Sequence, residues 1–88
     1  MNVIQFPSTP SKQAVAEVAA RASAAHQRWQ VECLVADDGQ PYLALEHRSD
    51  GTILGAHWKA ARWAVLSERG VTMSESEDLW TALEEALA

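Results

Sequence analysis

The sequence predicts an α+β domain: a small antiparallel β-meander of two to three strands, packed with an N-terminal helix and two C-terminal helices in the order α-β-β-(β)-α-α. Three observations carry that prediction. Trp29, Val31, Cys33 and Val35 alternate with Gln30, Glu32, Leu34 and Ala36, a period of two that sends the two sets to opposite faces of a strand. Turn compositions follow at Asp37-Asp38-Gly39 and at Arg48-Ser49-Asp50-Gly51. On either side of this region, apolar residues recur at helical spacing between recognisable caps.

Residues 1–9 are proline-punctuated and read as an extended N-terminal segment, with Val3, Ile4 and Phe6 apolar enough to lie along a groove or a sheet edge. This opening resembles that of short phage and prophage proteins, a likeness of a few residues that identifies no family and implies no activity. Thr9 followed by Pro10 makes a good helix start, the hydroxyl capping free amides and the proline tolerated in the first turn. The helix is expected from about Pro10 to Arg28. Its stripe is Val15, Val18, Ala19, Ala22, Ala25 and His26, small enough for close approach of whatever packs there. After the Trp29–Ala36 strand, Tyr42 to His47 reads as a second strand with Leu43 and Leu45 on one face. Asp50-Gly51 is a hairpin signal, so Thr52 to Leu54 reads either as a short third strand or, with Thr52 as cap, as the start of the next helix at Ile53.

From about Ala56 to Arg69 the alanine content and spacing predict a helix ended by Gly70. Ala56, Ala60, Ala61, Trp63 and Ala64 would form its apolar face, with Lys59, Arg62, Leu66 and Arg69 opposite. Ser74 with Glu77 reads as a capping box opening a last helix from Glu75 to Leu87, striped by Leu79, Trp80, Leu83 and Leu87.

The whole chain, 1–88, reads as a single compact domain. At 88 residues and 48% apolar content, it should bury about 60 to 65% of its unfolded surface and fold without metal or disulfide staples. A single cysteine, the absence of an apolar run of the roughly 18 to 20 residues that span a bilayer, and an opening without a basic-then-apolar leader place the expectation in the cytoplasm. The formal charge is −5 and changes sign along the chain. Segments 1–28 and 52–70 are positive, and segments 29–51 and 71–88 are negative. Oppositely charged elements packed together, or a homodimer, would account for that alternation.

The residue types exclude several chemistries. Cys33 lies on an alternating apolar face, where a cysteine behaves as a small buried hydrophobe and reacts slowly. No nucleophile-elbow pattern accompanies the serines and histidines. A metal would have to recruit Cys33, His26, His47, His57 or Asp37 and Asp38 from separate elements without a known ligand spacing. The four glycines stand alone, so no phosphate loop is present. No enzyme activity and no cofactor are expected. Duplex DNA is not expected as a partner either, because the last helix carries Glu75, Glu77, Asp78, Glu84 and Glu85 without one Lys or Arg, whereas phosphate binding requires cations.

Four tryptophans in so short a chain remain to be explained. Aromatic side chains beside arginine anchor many protein interfaces. If 56–69 is helical, Trp58 and Arg62 are neighbours on it, and the candidate partner-binding set is Trp58, Arg62, Arg69, Lys59 and Leu66. The function expected is a small non-enzymatic protein-binding module, a regulator or adaptor, whose partner is another protein or a second copy of itself, with no membrane involved. The alternatives are an acidic nucleic-acid mimic inhibiting a host nucleic-acid enzyme, and a subunit of a larger enzyme.

Overall fold

The computed structural model describes residues 10–87; the expected extended segment 1–9 and the Thr9 cap lie outside the described residues. The chain is α+β, with elements α1 (Lys12–Ala25), β1 (Trp29–Val35), β2 (Pro41–His47), β3 (Ile53–Lys59), β4 (Arg62–Ser67), β5 (Thr72–Ser76) and α2 (Leu79–Leu87). The strands form one five-stranded antiparallel sheet in sequence order, a simple up-and-down meander.

Ser11 caps α1, the Ala14 N–H donating to its Oγ at 3.1 Å. The helix ends at Ala25, three residues before the expected Arg28, with His26 as its C-cap. Val15, Ala19 and Ala22 are buried as the stripe requires; Val18 and His26 are half-buried and Ala25 is exposed. β1 and β2 pair in the register Trp29↔His47 through Val35↔Pro41, close to the expected strands. The Ser23 hydroxyl donates to the Val31 carbonyl at 3.3 Å, which ties α1 to this edge strand. Cys33 faces the helices but is only half-buried, because it sits on the edge strand. In the β2–β3 turn, Asp50 accepts from the Thr52 N–H at 2.9 Å. That bond, then one from the Thr52 side chain and the nearby His47, holds its carboxyl below the usual carboxylate range.

The expected helix over 56–69 is not formed, nor does a helix begin at Ile53. The third strand runs beyond Leu54 to Lys59 and turns back at once into β4. Ala60 and Ala61 make the turn with φ of 54° and 60°, both left-handed, as a type I′ hairpin requires of its two central residues. Burial explains why strand overrides the helical preference of Ala, Lys and Arg: Leu54 and Ala56 on one side of the turn, and Trp63 and Val65 on the other, all face the core at period two.

The last helix is also shorter than expected. Glu75 and Ser76 belong to β5, and α2 begins at Leu79. Asp78 closes its first turn, accepting from the Thr81 N–H at 3.0 Å and from the Thr81 hydroxyl at 2.8 Å. Ser74 is no cap: it is a buried strand residue whose hydroxyl donates to the Ala82 carbonyl at 2.6 Å and holds α2 against β5. Leu79 and Leu83 are buried, Trp80 and Leu87 half-buried. The Arg21 guanidinium lies 4.0 Å from the Trp80 ring centroid, joining the two helices over the sheet.

Both helices pack on the same face, α1 over β1 and β2, α2 over β4 and β5. The core between the layers contains Val15, Ala19 and Ala22 from α1, Leu79, Ala82 and Leu83 from α2, and Leu43, Leu45, Leu54, Ala56, Trp63 and Val65 from the sheet. Trp63 is buried; Trp29, Trp58 and Trp80 are half-buried and pack against this core. Among the described residues, no helix is long and apolar enough to cross a membrane.

Candidate interaction site on the open face of the sheet

Side chains alternate across a sheet, so every core residue has a neighbour pointing the other way. Among the described residues, no helix covers that second face. The register sets its side chains in rows. One runs Glu32, Ala44, Gly55, Leu66, Thr72; the next begins with Leu34 and Tyr42 and ends with His57, Ala64 and Glu75. Gln30, Glu46 and Ile53 form a third row at one end, and Lys59 and Arg62 pair directly at the other.

A groove of about 310 Å³ crosses the middle of this face. Its lining takes Tyr42, Ala44, Ile53, Gly55, His57 and Leu66 from the strands and Glu68 from the turn after β4. The Tyr42 and His57 rings stack with centroids 5.1 Å apart and planes 15° from parallel. Glycine at 55 is what admits the imidazole: a Cβ there would meet His57 Nε2 at 2.7 Å. Gly55→Ala should therefore push the His57 ring off its position beside Tyr42 at small cost to stability, since the displaced group is the free end of an exposed side chain. The expected result is a shift of the His57 imidazole and Tyr42 ring proton resonances with a melting temperature close to the parent's. Unchanged ring resonances would show that the ring does not lie over residue 55.

The five residues expected to bind a partner are divided by the hairpin. Lys59, Arg62 and Leu66 share the open face. Trp58 points to the helix side, packs against the core and approaches Trp63 with ring centroids 5.6 Å apart. Arg69 stands exposed in the turn between β4 and β5. The expected helical neighbours Trp58 and Arg62 thus lie on opposite faces, and the contact across the hairpin end is Lys59 with Arg62. Sequence reading missed Tyr42, Ile53, Gly55 and His57 as members of one surface. The available signal was Gly55, a glycine within an alternating run, which in a strand marks close approach of another group.

Tyr42, His57, Ser67 and Glu68 are the polar residues lining the groove, and among the described residues no three His, Cys, Asp or Glu side chains gather as a metal-holding group. A second cleft, about 410 Å³, lies where α1 ends, between His26, Arg28, Trp29 and Leu87. His26 Nε2 is buried without a hydrogen-bond partner among the described residues. Its ring approaches Trp80, centroids 6.0 Å apart, and Gln27 and Arg28 line the same cleft. The chain matches no protein-family model, no curated protein and no solved structure.

Proposed function

We propose that this protein is a small non-enzymatic binding module, a cytoplasmic regulator or adaptor that recognises another protein chain through the open face of its sheet. The observation that supports this reading is the contrast between the two faces. One is sealed by helices; the other presents Leu34, Tyr42, Ala44, Ile53, Gly55 and Leu66 as a continuous apolar strip, with Leu34 36% and Ile53 43% exposed. Apolar surface of this kind, rimmed by charged residues, is what protein interfaces bury. Lys59, Arg62 and Leu66 belong to this surface, whereas Trp58 acts from behind it by fixing the hairpin.

The test compares two substitutions of equal chemistry. Ile53→Asp places a charge in the middle of the open face, and Val71→Asp places one in the β4–β5 turn, where Val71 is 57% exposed and outside the strip. Immobilised wild-type protein and the Val71→Asp variant should retain the same protein from a lysate of the native host, itself included, and Ile53→Asp should lose at least about tenfold of that retention. Equal retention by all three folded proteins, or none by the wild type, would overturn the proposal.

A further inference from the structure

We infer that the occupant of the open face is the same face of a second copy, the two sheets packing about a two-fold axis that runs through the groove. This rests on the reading of the open face as the binding surface. The charges of that face carry the inference. Lys59 and Arg62 mark one corner of the charge pattern, at the hairpin end of the interior strands β3 and β4, and Glu32 and Glu46 mark the diagonally opposite corner of that pattern, on β1 and β2. All four are exposed. The only ion pair among the described residues is His47–Asp50, so none of the four is paired with an opposite charge among them.

With a rise of about 3.3 Å per residue and about 4.8 Å between strands, the two corners lie about 20 Å apart, and the point midway between them falls among Tyr42, Ala44, Gly55 and His57. That point is the groove. A two-fold axis lying in the interface through it, perpendicular to the diagonal, carries the cationic corner of one copy onto the acidic corner of the other, and the reverse contact follows by symmetry. The residues near that axis are Leu34, Tyr42, Gly55 and Leu66, so apolar surface meets apolar surface while charge meets opposite charge. Two further carboxylates border this face, Glu75 on the edge strand and Glu68 in the turn after β4, where it lines the end of the groove.

A second consideration points the same way. Lys59 and Arg62 are directly opposed cross-strand partners, and like charges so placed destabilise a sheet. Glu32 and Glu46 crowd the other corner in the same sense. A single opposing copy relieves both repulsions at once, which an uncharged partner would not.

Sedimentation equilibrium of the full chain at concentrations from about 1 to 500 µM tests this, the range being set by a face at the small end of specific interfaces. The wild type should dimerise. The double variants Lys59→Glu/Arg62→Glu and Glu32→Lys/Glu46→Lys should each raise the dimer dissociation constant by at least about tenfold, because both contacts become repulsive. An equimolar mixture of the two should recover the dimer, since both contacts are then attractive. A wild type monomeric throughout, double variants that dimerise like the parent, or a mixture that fails to recover the dimer would overturn the inference. Should a reversed variant fail to fold, carbodiimide coupling of a mixture of isotope-labelled and unlabelled wild type decides instead. Cross-links from Lys59 to Glu32 or Glu46 between copies are expected, and their absence would refute the arrangement. A monomeric wild type whose lysate partner is still lost on Ile53→Asp would leave the binding-module reading standing and remove only the second copy as its occupant.

Discussion

Trp63→Ala is expected to remove most of the stability of this protein. Trp63 is 3% exposed, lies in β4 between the sheet and the two helices, and supports the half-buried Trp58 across the hairpin. Truncating a tryptophan so placed costs about 3 to 5 kcal/mol, the lost transfer free energy plus the cavity that its neighbours cannot fill. A domain of this length has about 4 to 13 kcal/mol in all, so the variant should melt on the order of 20 °C lower or be partly unfolded at 37 °C. The same truncation at Trp80 should cost less. That ring is half-buried and covered by Arg21, and the buried apolar residues of its helix are Leu79, Ala82 and Leu83. Thermal melts followed by circular dichroism check the order, and a Trp80→Ala variant less stable than Trp63→Ala would contradict the placement of the core.

Trp58 and Trp63 show where the sequence was legible and where it was not. β1 and β2 could be read because their alternation is uninterrupted and their turn carries Asp and Gly, whose conformational preferences are local. The stripe of the last helix was readable for the same reason, and only its start was misplaced: Ser74 faces inward to Ala82, leaving Asp78 as the residue that closes the first turn. The 53–67 region defeated local reasoning because its turn contains no glycine, asparagine or proline. Five residues apart, Trp58 and Trp63 are far round a helix from one another, but across a two-residue turn they become cross-strand partners on one face. Trp58 and Arg62, four apart, change in the opposite sense, from helical neighbours to opposite faces. The partner site inherited that error. Three of its five residues lie on the open face because Lys59, Arg62 and Leu66 keep the parity that a strand requires, and Trp58 falls out because it does not.

Replacing Ala60 by Asn and Ala61 by Gly should stabilise the protein by about 1 to 2 kcal/mol, the largest gain a surface change is expected to give here. Both alanines sit at positive φ, where the Cβ of an L-residue crowds the following carbonyl, and Asn-Gly is the pair that adopts this geometry with least strain. Each is exposed, so no packing is lost. At about 4 to 8 °C per kcal/mol for a domain of this size, the melting temperature should rise by roughly 5 to 15 °C. The β3–β4 hairpin should also exchange its amide protons more slowly, because the opening that frees Lys59 and Arg62 from the sheet end starts at this turn. Lys59 and Arg62 are untouched by the change, so dimer dissociation should remain within about twofold of the parent, which separates the strain of the turn from the charge that flanks it. A lower melting temperature would mean that residues 60 and 61 are not left-handed, and that the chain between Trp58 and Trp63 turns some other way.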